Sequence, residues 1–116
     1  MEHKMGLYAQ PMASIQSGRK TVEVRLNDEK RRKIKIGDTI QFTKVPGEEE
    51  TLTVEVIGLR EFPTFKEMYE TIPAEDFDAV GDSIGEMVDS TYEIYSPERE
   101  KEWGTLAITI KLLEEK

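Results

Sequence analysis

Apolar and polar residues alternate with period two in several stretches of this chain, the pattern of half-buried strands. Thr21-Val22-Glu23-Val24-Arg25-Leu26 alternates strictly. Val22, Val24 and Leu26 are expected to meet a core, with Thr21, Glu23 and Arg25 on the opposite face. Thr39 to Lys44 repeats the pattern with Ile40 and Phe42 inward, and Thr51 to Leu59 with Leu52, Val54 and Val56 on one face. Pro46-Gly47 between them is a turn signal, so the two strands read as an antiparallel hairpin with a longer loop. Thr105 to Leu113 alternates again, with Leu106, Ile108 and Ile110 inward. A fainter alternation marks residues 3–8 as a further strand.

Elsewhere the period lengthens to that of a helix. Pro11 to Ser17 predicts a short helix ended by Gly18, the residue that helix C-termini favour. Thr64-Phe65-Lys66-Glu67 fits a capping box, and Phe65, Met68, Tyr69 and Ile72 then share one helical face. Pro73 interrupts. Asp76 to Val80 predicts another short helical piece, ended by Gly81. Ser83 to Tyr92 predicts a third helix with Ile84, Met87 and Val88 at helical spacing. Ser96-Pro97-Glu98 is a helix start, and Gly104 a stop. Strands, then helices, then a returning strand make an α+β arrangement, read as a small, partly open barrel with helices inserted before the last strand.

The 116 residues allow one domain over 1–116. With no cysteine, disulfides, zinc fingers and thiol nucleophiles are excluded. The lone histidine, His3, is expected near a mobile terminus, which removes His-based metal cages and a triad built on a well-held His. Apolar runs fall far short of the roughly 20 residues a membrane helix needs, and the N-terminus lacks a signal-peptide stretch. A cytoplasmic, monomeric protein with no membrane contact and no cofactor is expected.

Charge changes the picture. The net charge is −8, which argues against strong phosphate binding. Residues 1–45, however, carry ten basic groups against five acidic ones, +5, and residues 46–116 carry six against nineteen, −13. Lys30-Arg31-Arg32-Lys33-Ile34-Lys35 is the densest basic run. Lys30, Arg31, Arg32, Lys33 and Lys35 would track a phosphate backbone, the plainer reading being a solvated turn. Stacking aromatics would come from Tyr8, Tyr92, Tyr95 or Trp103; Tyr95 is the better cleft candidate, and Trp103 is expected in the core at a helix–strand junction. Glu75-Asp76-Phe77-Asp78 lacks the ligand spacing of a calcium loop and reads as an acidic helix face, so no metal site is assigned.

The densest chemistry lies in Gly18-Arg19-Lys20-Thr21-Val22-Glu23-Val24-Arg25. A carboxylate flanked by a lysine and an arginine stays ionised. Glu23 would accept a hydrogen bond from a base or hydroxyl, and Lys20 and Arg25 would bind phosphate or a carbonyl. The plainer alternative is an exposed strand face with cross-strand ion pairs.

The pattern G-x-K-x-x-E-x-R after a short helix, supplied by Gly18, Lys20, Glu23 and Arg25, resembles the hallmark of the ASCH domain, a branch of the PUA-like superfamily. Ile36-Gly37-Asp38-Thr39-Ile40-Gln41-Phe42, Tyr95-Ser96-Pro97-Glu98 and Trp103-Gly104-Thr105-Leu106-Ala107-Ile108 resemble further family segments, in the right order. The resemblance implies a small PUA-like β-barrel of about five to six strands with short helices inserted before the last strand. It also implies RNA or a nucleotide-like ligand in a cleft formed by Gly18, Lys20, Glu23, Arg25, Tyr95 and Ser96.

Some family members resemble N4-acetylcytidine amidohydrolases, whose motif runs G-R-K-T-hydrophobic-T-hydrophobic-R. Lys20 matches their lysine, while Glu23 stands where they carry the catalytic threonine. Their glutamate would fall among Glu67, Glu70, Glu75 and Glu86. Another member resembles a metal-dependent ribonuclease. If this chain is an enzyme, Lys20 would be the base or the amide-activating group and Glu23 the general acid/base. A protein-interaction domain using the acidic helical face is the remaining alternative.

Overall fold

The structure, a computed structural model, describes residues 1–47 and 49–113. Five strands, β1 (Glu2–Leu7), β2 (Val22–Leu26), β3 (Thr39–Lys44), β4 (Thr51–Phe62) and β5 (Thr105–Leu112), form one mixed sheet in the order β1-β3-β4-β5-β2. Four α-helices accompany it: α1 (Ala9–Gln16), α2 (Phe65–Thr71), α3 (Ile84–Tyr92) and α4 (Pro97–Trp103). Three of them, α2, α3 and α4, lie between β4 and β5, as the α+β reading expects. Among the described residues, no helix is long and apolar enough to cross a membrane.

The hairpin β3–β4 is antiparallel, with Ile40 opposite Val54 and Phe42 opposite Leu52. β1 runs parallel to β3, and β2 and β4 flank β5 antiparallel. The sheet curls so that a side chain of one edge strand reaches the backbone of the other. Arg25 Nη2 on β2 donates to Gly6 O on β1 at 2.9 Å, and Lys30 Nζ donates to Lys4 O at 2.9 Å. Side chains thus cover the Lys4 and Gly6 carbonyls of β1, a common remedy for an exposed edge. The result is a half-barrel with a seam between β1 and β2.

Two cores flank the curled sheet. Inside it lie Met5, Leu7, Ile40, Phe42, Val54, Val56, Leu106 and Ile108, joined by Met12 and Ile15 of α1. The helices pack Phe65, Met68, Tyr69, Ile72 and Met87 against Val22, Leu26 and Ala107 on the outer face. Each large side chain buried this way stabilises the fold by ~1.5–3 kcal/mol. β5 is therefore covered on both faces, and Thr105 through Ile108 are all buried.

Local signals set the helix ends. Thr64 Oγ1 accepts from Glu67 N at 3.1 Å, Ser83 and Glu86 form a reciprocal capping box, and Ser96 accepts from Arg99 N at 3.2 Å ahead of Pro97. Gly104 ends α4 at φ 73°, a conformation suited to glycine.

Several expectations are corrected. α1 begins at Ala9, so Pro11 lies inside its first turn rather than opening it. The helical piece expected over Asp76 to Val80 is a single 3₁₀ turn, Ala74–Asp76, held by Pro73. β4 continues to Phe62 through an irregularity between Val56 and Gly58. His3 is not mobile: it is buried in β1, and its Nε2 lies 2.8 Å from Asp38 Oδ2. Asp38 also accepts from Lys35 N, and together these bonds hold its pKa down at about 2.

Candidate functional site

Gly18 closes α1 with φ 80°, where a side chain would be strained. The Gly18 amide then bonds Ile15 O, and the Arg19 and Lys20 amides both bond Ser14 O. This turn delivers Lys20 beside Phe77, with which it forms an isolated bridge, and Thr21 N donates to Asp76 O. The chain then enters β2. Glu23 lies opposite Ile108 and Arg25 opposite Leu106 on β5, so they share the face that looks into the half-barrel.

The face that reads from sequence as either a cleft wall or an exposed strand face is thus an interior one. Sequence alternation identifies Val22 and Leu26 as core residues, and they are buried against the helices; what it does not show is that the other face is also covered. Glu23 and Arg25 keep side-chain exposures of only 5% and 10%, and Lys20 14%.

These three side chains form one unit, with Glu23 and Arg25 buried and Lys20 half-buried at its edge. Glu23 Oε1 lies 2.9 Å from Lys20 Nζ. Glu23 Oε2 accepts from Arg25 Nε at 2.9 Å and from Nη2 at 2.6 Å. The guanidinium also stands 5.9 Å from the centre of the Phe42 ring. Burial by itself would raise the Glu23 pKa; the positive charges of Lys20 and Arg25, and their hydrogen bonds, overcome it and hold the carboxyl at about 2. Arg25 is pushed up by Glu23 against the opposing effect of its own burial. A carboxylate held this low is a fixed anion at neutral pH. It orients two cations, and it does not match the pKa a general acid needs near neutrality.

The unit floors a cleft of about 600 Å³ that also takes in Tyr8, Tyr69, Phe77, Thr91, Tyr95 and Arg31. Tyr69 and Phe77 meet edge to face at 5.0 Å and 85°, and Tyr95 stacks on Phe65 at 5.7 Å and 22°. Burial pushes the Tyr69 and Tyr95 phenols up, so both stay neutral. Arg31 pairs with Asp28 at 3.0 Å, and its Nε is buried with no hydrogen-bond partner among the described residues.

Of the residues singled out from sequence, Lys20, Glu23, Arg25, Tyr95, Tyr8 and Arg31 line this cleft. Gly18 shapes the turn, and Ser96 caps α4; neither lines it. The basic run divides. Lys30 bonds β1, while Arg32 donates to Asn27 O at 2.7 Å and stands 5.3 Å from the centre of the Trp103 ring. Lys33 and Lys35 are exposed. Tyr92 turns away and donates to Glu100 Oε1 at 2.6 Å. Glu67, Glu70, Glu75 and Glu86 stay outside the cleft. Among the described residues, no group of three or more metal-ligating side chains gathers.

Sequence reasoning missed Tyr69, Thr91 and Phe77 as cleft residues. Tyr69 sits among core positions of an amphipathic helix, and no local signal separates it from them. It also missed Glu100, a buried carboxylate whose Oε2 accepts from Phe65 N at 2.7 Å.

The ASCH domain profile matches residues 5–114, nearly the whole chain. The chain belongs to the ASCH domain family. ASCH domains are a branch of the PUA-like superfamily, and the curled five-stranded sheet with its helices agrees with that fold. Solved structures of similar proteins include hypothetical protein PH0355, at 41% identity and TM-score 0.87, covering 97% of this chain and all of that one. Protein PF0455 from Pyrococcus furiosus shares 38% identity at TM-score 0.78, over 99% of this chain and all of its own. An ASCH protein from Zymomonas mobilis, at 13% identity and TM-score 0.61, covers 95% of this chain and 66% of its own, and shares the ASCH fold. No curated protein matches the chain.

Proposed function

We propose that this ASCH domain binds RNA or a nucleotide-like ligand in the cleft floored by Lys20, Glu23 and Arg25. The observation that carries this reading is the Lys20–Glu23–Arg25 unit, set in a cleft with aromatic walls. One carboxylate presets two cations. Lys20 keeps donors beyond the one it gives Glu23, for a base carbonyl or a phosphate. Tyr8 and Tyr95 offer ring faces for a base. Arg31 lines the same cleft, with Lys33 and Lys35 exposed on the loop behind it, which supports a path for a strand leaving the cleft. The net charge of −8 predicts weak binding, and each phosphate met by a cleft cation adds its own share of salt dependence. The fixed ionisation of Glu23 supports binding over proton transfer.

The test is a backbone-amide NMR titration with short single-stranded RNA at low salt, followed by analysis of the RNA. Shifts clustered on Lys20, Glu23, Arg25 and Arg31 with intact RNA are expected. Degraded RNA would replace binding with hydrolysis, and shifts absent from this cluster would overturn the reading.

A further inference from the structure

The cleft holds a short relay whose protons have only one arrangement. Tyr69 Oη lies 2.6 Å from Thr91 Oγ1, and Thr91 Oγ1 lies 2.8 Å from Met87 O. Each contact needs one proton between its two oxygens. Tyr69 and Thr91 bring one hydroxyl proton each, and the Met87 carbonyl brings none. The Thr91 proton is therefore committed to Met87 O, and the Tyr69 proton to Thr91. The phenol oxygen is left with lone pairs alone.

Tyr69 and Thr91 both line the cleft. The Tyr69 ring is fixed edge-on against Phe77, so the oxygen does not swing away. Lys20 and Arg25 in the same cleft are donors only. The oxygens of Glu23 are both engaged by those cations. Tyr69, itself buried in the cleft wall, is then an uncharged acceptor fixed in one orientation, unlike the hydroxyls of Tyr8, Ser90 and Tyr95 in the same lining.

We infer that Tyr69 reads its ligand as a hydrogen-bond acceptor, so that the cleft selects a base bearing an exocyclic amino group over the keto base of the same shape. An amino group donates to the phenol oxygen. A keto oxygen at the same place sets lone pairs against lone pairs and leaves both unpaired. The inference rests on the base-binding reading above and adds to it the polarity of the edge that is read.

Calorimetric titration of the full chain with two matched pairs, adenosine against inosine monophosphate and cytidine against uridine monophosphate, tests it. The amino member of each pair is expected to bind about tenfold more tightly. In Tyr69→Phe the acceptor is gone, and each pair should converge to within about threefold. Thr91→Val keeps the shape of the side chain but cannot receive the phenol proton. Tyr69 can then donate as well as accept, and the preference within each pair should fall away.

Equal affinities within both pairs for the unaltered protein would overturn the inference and leave base binding standing. So would an undiminished preference in Tyr69→Phe. Failure of all four nucleotides to bind at millimolar concentration would remove the base-reading cleft itself, and this inference with it. The comparison within the unaltered protein decides the matter even where a variant fails to fold.

Discussion

Replacing Glu23 by Gln removes one buried negative charge and leaves buried Arg25 and half-buried Lys20 without their shared counter-charge. Lys20 and Arg25 sit 2.9 and 2.6 Å from that carboxylate, and neither is more than 14% exposed. Breaking a buried pair by deleting one partner costs ~3–5 kcal/mol, because the remaining charge is uncompensated. Titration supplies a second route to the magnitude. Lowering the Glu23 pKa from 4.5 to about 2 corresponds to about 3 kcal/mol of stability at neutral pH. The folded value is depressed, so this stability is present above the unfolded value and lost as pH falls through the folded one. About 2 kcal/mol of it should be gone by pH 3. Chemical denaturation followed by Trp103 fluorescence at pH 7 and pH 3 measures both quantities. Glu23→Gln should be about 3 kcal/mol less stable at pH 7, and the gap should narrow sharply at pH 3. Asp38, also held at about 2, is present in both proteins and cancels in the difference. A gap under about 1 kcal/mol at pH 7, or two stabilities falling in parallel with acid, would refute the picture of a tightly coupled buried unit.

Other perturbations test the surrounding frame. Glu100→Gln leaves either the Phe65 amide or the Tyr92 hydroxyl without its carboxylate partner, and should cost ~1–3 kcal/mol in denaturation experiments. The same substitution should bring the Tyr92 phenol, pushed up to about 12 by the Glu100 carboxylate, back toward its ordinary range in an ultraviolet titration. Gly104→Ala forces a side chain onto φ 73°, ψ −170°, with the new Cβ 3.4 Å from Phe62 O, and should destabilise by ~1–3 kcal/mol in thermal unfolding. If single-stranded RNA occupies the cleft, Arg31→Ala should weaken binding and flatten the log–log salt dependence by ~0.7, one phosphate contact; an unchanged slope would place the phosphate path elsewhere.

Much of this molecule is written locally. Period-two alternation marks the strands because one face of each meets apolar neighbours, and Thr64, Ser83 and Ser96 announce helix starts because their oxygens satisfy amides three residues on. The Gly18-Lys20-Glu23-Arg25 pattern is legible for the same reason. It lies on one turn and one strand, so its spacing alone sets lysine, carboxylate and guanidinium side by side.

Only the tertiary structure decided what surrounds that pattern. The alternation of β2 distinguishes its two faces but does not say what covers each. The curl of the sheet brings β2 to the seam beside β1 and turns Glu23 and Arg25 inward, where low exposure converts an ordinary surface pair into a coupled buried unit. His3 is held by Asp38, 35 positions away, and the terminal strand carries no mark of it. Tyr69 and Thr91 reach the cleft from helices far along the chain, and Glu100 joins α4 to the start of α2 from 35 residues beyond it. Such contacts leave no periodic trace in sequence, because they depend on how elements pack rather than on what each element prefers.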